Sequence, residues 1–124
     1  MIATDTSALS SYLRGEKGPE VDRVDAVLSA GELVLPPVVV SEMLSSEVNI
    51  AALEALIQEL DLLEIIEGYW HRAGHARRML HSKGLKAKVG DALIAQSCID
   101  HDVALITRDR DFRNFARHCG LKLA

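Results

Sequence analysis

Several acids in this sequence sit where solubility alone explains them poorly. Asp5 closes the apolar opening "MIATD" and is followed at once by two hydroxyls, Thr6 and Ser7. Glu42 lies inside "VVVSEML", between Val39, Val40 and Met43, Leu44. Asp91 opens the apolar run "GDALIAQ", and Asp109 and Asp111 share the turn "LITRDRDF" with Thr107. Acids from such distant segments could share one pocket only against mutual repulsion. At ~4 Å and an effective dielectric of ~20, each like-charged pair costs on the order of 4 kcal/mol. A divalent cation would relieve that cost. With carboxylates and hydroxyls as the candidate ligands, the donor set suits Mg²⁺ or Mn²⁺ rather than Zn²⁺. Two such ions roughly 3.5–4 Å apart would serve in-line displacement at a phosphodiester.

Each position also has an ordinary explanation. Asp5 can cap a helix, a role worth about 1 kcal/mol. Asp91 would lie in the first turn of a helix, where the macrodipole favours an acid. "TRDRD" on its own reads as a solvated turn. Glu42 has the weakest excuse, because a carboxylate within an apolar helix is costly to bury unless it is paired or bound to a cation. Spacing alone leaves open whether these acids converge.

The elements that must position them alternate along the chain. A buried strand opens the sequence, and Asp5-Thr6-Ser7 offers capping chemistry for "ALSSYLR", closed by Gly15 and Gly18. A second helix runs from Pro19 or Glu20 to Ser29 with Val21, Val24, Val27 and Leu28 on one face, and Gly31 ends it. "ELVLPP" is a strand stopped by its prolines. From Val38 the pattern turns helical, with a strand continuing to Val40 as the alternative. Asn49 caps "IAALEALIQEL", "LLEII" is a strand, and helices cover about 69–81 and 89–99. The strand "VALIT", the charged turn, a short helix "FRNFARH" and a last strand "LKL" complete the chain. This alternation predicts one α/β domain over residues 1–124, with a mostly parallel sheet covered on both faces. In such sheets ligands sit beyond the carboxyl ends of the strands, where Asp5 and the 107–111 turn fall.

Composition narrows the classes. With 48% hydrophobic and 26% charged residues the chain is an ordinary soluble globule. Only 4% is aromatic, which argues for a core of Leu, Ile, Val and Ala and against base-stacking platforms. A net charge of −4 argues against non-specific nucleic-acid binding driven by bulk charge. Cys98 and Cys119 match no ligand spacing and read as reduced thiols. There is no signal-peptide pattern, and no apolar run approaches the ~18 residues of a membrane span, so a cytoplasmic location is expected. The five histidines show no triad spacing. A receiver-like phosphoacceptor domain is rejected, because "MIATDTS" carries a single acid and "EIIEGYW" ends without an aspartate.

Taken in order, "MIATDTSAL", "VVVSEML", "GDALIAQ" and "LITRDRDF" resemble the motifs of the PIN-domain ribonucleases, most nearly the VapC-type toxins of bacterial toxin–antitoxin pairs. The likeness spans essentially the whole chain, and it is the set of four that is specific. It implies a three-layer α/β/α sandwich with a small, mostly parallel central sheet. It implies that Asp5, Glu42, Asp91 and Asp109 form the catalytic acidic cluster that holds Mg²⁺ or Mn²⁺, with Asp111 as an auxiliary acid or a cap on the last helix. Thr6 or Ser7, and Thr107, would supply hydroxyls behind the ligands. The implied reaction is metal-dependent endonucleolytic hydrolysis of RNA, leaving a 5′-phosphate and a 3′-hydroxyl. The implied partners are an antitoxin protein and a second copy of the chain, paired through helices around 20–60. Many relatives carry a further acid soon after the "SE" motif; Glu47 here comes five residues on, one past a helical turn, and is a candidate extra ligand.

Charge is segregated as well. Between His71 and Gly90 lie Arg72, Arg77, Arg78, Lys83, Lys86 and Lys88 with no acid, whereas 49–67 carries five acids and no base. The basic stretch is a candidate surface for RNA phosphates or for an acidic antitoxin tail, with a solvated helix face as the plain alternative. Lys88 is the best placed, three residues from Asp91. The competing function is a non-catalytic PIN-like module that binds RNA or protein through this face.

Overall fold

A computed structural model describes residues 1–124. The elements run β1 (Ile2–Thr4), α1 (Thr6–Leu13), α2 (Pro19–Ser29), β2 (Leu33–Leu35), α3 (Pro37–Leu44), α4 (Ile50–Glu59), β3 (Asp61–Leu62), α5 (Tyr69–Ser82), α6 (Val89–His101), β4 (Ala104–Ile106) and α7 (Phe112–Cys119). Every pairing in the sheet is parallel, in the order β3-β2-β1-β4. Ala3, Leu33, Val34, Leu35, Leu105 and Ile106 are all buried, as strands covered on both faces require. The result is the α/β/α sandwich expected from the sequence.

The strand order sets the location of the site. From β1 the chain builds outward through β2 to β3, then returns to place β4 on the other side of β1. The switch in direction therefore lies between β1 and β4, and a crevice opens beyond their carboxyl ends. The amide of Asp5 donates to the Ile106 carbonyl (3.1 Å), which locks the two strand exits together.

Local chemistry explains most boundaries. Asp5 is extended (φ −88°, ψ 179°) and caps α1 by accepting from the Ala8 amide. Asn49 caps α4 through the Ala52 amide in the same way. Pro37 occupies the first position of α3, where its missing N–H costs nothing, so residues 38–40 are helical and the strand alternative is ruled out.

Three expectations need correction. The third strand is Asp61–Leu62, not "LLEII" over 62–66. Its parallel partner β2 ends at Leu35, and after the last rung, from the Leu63 amide to the Leu35 carbonyl, the prolines at 36 and 37 offer no donor. Glu64, Ile65 and Ile66 consequently leave the sheet and lie exposed. The last strand shrinks to a single parallel bridge between Leu105 and Leu123. The core is also less purely aliphatic than composition suggests. Phe112 and Phe115 are fully buried, their rings 6.2 Å apart, and anchor α7 against the cluster. Cys98 is buried and Cys119 half-buried, and both are free thiols.

Candidate metal centre

A cleft of about 560 Å³ opens at the β1/β4 switch point, and Asp5, Glu42, Asp91 and Asp109 all line it. Four different chain segments deliver them: the end of β1, the middle of α3, the first turn of α6 and the turn after β4. Oxygen atoms of Asp91, Asp109 and Asp111 lie within 4.8 Å of one another. Asp5 and Glu42 stand on the wall of the cleft outside that tight trio.

Asp5 is the most deeply buried acid, 2% exposed, and its oxygens are heavily used. Oδ1 accepts from the Ala8 amide (2.9 Å), Ser7 Oγ lies 2.9 and 2.8 Å from the two oxygens, and Thr107 Oγ1 donates to Oδ2. Burial pushes its carboxyl above the usual range and Asp109 adds to the rise, while the hydrogen bonds from Ala8, Thr107 and Ser7 oppose it. Glu42 is oriented by Thr6, whose hydroxyl donates to Oε1 at 2.6 Å. Gly90 lets α6 approach it closely, since a Cβ there would stand 3.1 Å from Glu42 Oε2. The 107–111 turn is braced from within: the Asp109 amide donates to Thr107 Oγ1 and the Asp111 amide to Asp109 Oδ1, each at 2.9 Å. Thr6, Ser7 and Thr107 therefore all bond directly to acids of the cleft.

Asp91 is the acid with an unmet need. Its Oδ2 is enclosed and has no hydrogen-bond partner. Its carboxyl is pushed up to about 6, first by burial, then by Asp109, with Asp111 and Glu42 adding to the rise and Lys88 opposing it. A half-buried carboxylate facing three others, with one lone oxygen, is a donor set that a hard cation would complete. Cys98 is buried and does not line the cleft, so the donors there are oxygens. The residues thus fit Mg²⁺ or Mn²⁺.

Other expectations fare differently. Asp111 stands at the N-cap of α7, but its side chain makes no capping bond and pairs with Lys86 Nζ at 3.3 Å instead. Glu47 is exposed and does not line the cleft, whereas its neighbour Ser46 does. The basic stretch does not form one face. Arg72 grips Asp100 with two hydrogen bonds (3.0 and 2.7 Å) and reaches the Glu67 carbonyl. Arg77 ties α5 to the Ala87 carbonyl (2.7 Å). Arg78 faces a separate groove of about 680 Å³ between α5 and α6, shared with Trp70 and Val89; that groove is the larger of the two but holds no acid. Lys83 is exposed. Only Lys88 lines the acidic cleft.

Sequence reasoning missed part of the cleft. Ser10, Ser11, Arg14 and Arg108 line it too. Ser10 and Ser11 follow Ser7 by three and four residues on α1, and Arg14, the C-cap, follows it by seven, so helical geometry places them on the face of Ser7 once that helix is granted.

The chain matches the PIN domain family over residues 2–118. It superposes on a chain of VapBC2 from Rickettsia felis, solved bound to a DNA fragment from their promoter, with a TM-score of 0.74 at 18% identity, covering 100% of this chain and 98% of that one. A chain of FitAcB from Neisseria gonorrhoeae is similar at a TM-score of 0.71 and 18% identity, with 99% and 96% covered. No curated protein matches the sequence. At such identity the structural likeness is one of fold, and the family match, which runs nearly the length of the chain, carries the assignment. The chain belongs to the PIN domain family.

Proposed function

We propose that this protein is a divalent-metal-dependent endoribonuclease and the toxin half of a toxin–antitoxin pair. The observation that carries the reading is the unpartnered, enclosed oxygen of Asp91 beside Asp109 and Asp111. The PIN family match and the fold shared with VapBC2 support it. Asp91, Asp109 and Asp111 would hold the ion most directly, with Asp5 and Glu42 as further ligands, direct or through water. When bound, Mg²⁺ or Mn²⁺ supplies a water of lowered pKa and neutralises charge at the phosphate.

The chain's own groups do the rest. Ser7 and Thr107 hold Asp5 in one rotamer, and Thr6 does the same for Glu42. Their bonds fix the acids before substrate arrives, which is what a preorganised site requires. Lys88 offsets part of the acids' negative potential at the mouth of the cleft. Residues 1–124 would act as one unit in the cytoplasm, as a homodimer held silent by an antitoxin. No helix is long and apolar enough to cross a membrane.

The test is cleavage of RNA by purified protein with Mg²⁺ or Mn²⁺. Asp5→Asn and Asp91→Asn are expected to remove activity while the protein still folds. Full metal-dependent activity in Asp5→Asn would overturn the cluster assignment. Calorimetry showing no divalent-ion binding at millimolar concentration would favour the non-catalytic RNA- or protein-binding module instead.

A further inference from the structure

Resting on the ribonuclease reading, we propose that Arg108 is the phosphate clamp of this cleft, the residue that seats the RNA backbone beside the carboxylates. A polyanion entering a cleft lined by four acids needs cations there, and Arg14, Lys88 and Arg108 are the ones that line it. They are not equivalent. Lys88 already interacts with Asp91 and opposes its repulsive neighbours. Arg108 is built into the catalytic turn: its amide donates to Ser7 Oγ (3.1 Å), and the same hydroxyl bonds Asp5. Its guanidinium crosses to α1, where Nη1 donates to Ser11 Oγ at 2.8 Å.

The rest of the guanidinium is loosely held. Glu16 and Glu20 approach it only to 4.0 Å, and both carboxylates are more than a third exposed. Pairs of that kind contribute little and exchange readily. A guanidinium carries five donors in a planar fork that matches a phosphate. One donor is fixed by Ser11, which sets the orientation, and the others are free to exchange carboxylate for phosphate. The geometry is that of a preoriented clamp guarded by two displaceable acids. The cleft lining includes Ile94 and no aromatic ring, so grip on the backbone rather than base stacking is the recognition chemistry this wall offers.

The experiment is steady-state RNA cleavage with Mg²⁺ or Mn²⁺ at several salt concentrations. Arg108→Gln should raise KM about tenfold and change kcat much less, as loss of a charged hydrogen-bonded contact implies. The dependence of log(kcat/KM) on log salt should flatten by about one unit, the signature of one lost phosphate contact. Arg108→Lys should recover the salt slope but only part of KM, because an ammonium keeps the charge and not the fork. Removing the guards with Glu16→Gln and Glu20→Gln together should lower KM much more beside Arg108 than in an Arg108→Lys background, because loss of negative charge alone helps a polyanion equally in both. An equal drop in the two backgrounds would overturn the clamp, and this comparison decides the matter should Arg108→Gln fold poorly. Unchanged KM and salt slope in Arg108→Gln, or a loss confined to kcat, would overturn the clamp while leaving the ribonuclease reading intact. Absence of RNA cleavage by the unaltered protein would overturn both.

Discussion

The acidic cleft and the basic stretch are both conspicuous in the sequence, yet folding treats them in opposite ways. Acids that lie up to about a hundred residues apart converge at the carboxyl ends of β1 and β4. Bases packed into twenty consecutive residues scatter to a buried-acid pair, a loop carbonyl, a separate groove and solvent. The difference is geometric. Strand ends and helix starts on one edge of a parallel sheet point into a common crevice. Successive residues on a helix rotate by about 100°, so a run of bases along α5 surrounds the helix instead of facing one way. The bases that do reach the acids, Lys86 and Lys88, lie in the loop leading into α6, beyond the helix. Density of charge along the sequence does not mark the cleft; three of its four acids stand at the end or start of an element, and Glu42, in the middle of α3, is the exception.

The sharpest way to break this comparison is within the 107–111 turn. Asp109 lines the cleft, whereas Asp111 is partly neutralised by Lys86. Asp109→Asn is expected to cut metal-dependent cleavage by roughly 100-fold or more, and Asp111→Asn by about ten-fold, measured as kcat/KM on one RNA. Equal losses would make the two aspartates equivalent ligands.

Next in size is the pH response of stability. The Asp91 carboxyl rises from 3.8 to about 6 in the fold, and Asp5 is raised as well. The folded state therefore binds more protons than the unfolded chain between those pH values. Without divalent ions, stability should be greatest below pH 4 for this contribution and should fall as pH rises through about 6. Thermal melts across pH 4–8 should show that fall, and Asp91→Asn should flatten it. Mg²⁺ or Mn²⁺ at pH 7 should raise the melting temperature of the unaltered protein, by about 2.7 kcal/mol of stability at 100 times Kd, and much less in Asp91→Asn.

The smallest effects should come from α5. Arg72→Ala should lower the melting temperature by breaking its bidentate pair with Asp100 and leave KM for RNA unchanged. Lys83→Ala should alter stability by less than about 0.5 kcal/mol and leave cleavage as it was. A large loss of RNA affinity in either would restore the basic stretch as a binding face.

Much of this was legible beforehand, for identifiable reasons. Asp5 and Asn49 announced their helices because capping is a local contract between a side-chain oxygen and an amide three residues on. The alternation of elements implied a parallel sheet, and the four ordered acidic motifs carried the family resemblance. The length of β3 was not legible, because it depends on where β2 stops and on the prolines that follow it. Arg108 was visible only as one of two charged neighbours in a turn, and its role depends on Ser7, Ser11, Glu16 and Glu20, which lie about ninety to a hundred residues away in sequence.

By itself, then, the sequence determined what is local or periodic: caps, helix faces, strand runs and the oxygen-only chemistry of the acids. Tertiary structure decided which of those acids meet, that Asp91 is left with an enclosed and unpartnered oxygen, and which of the bases faces the cleft. The reason is that convergence is a property of strand order. Only when β4 returns to lie beside β1 do the two strand exits, Asp5 and Thr107 to Asp111, come to share one crevice.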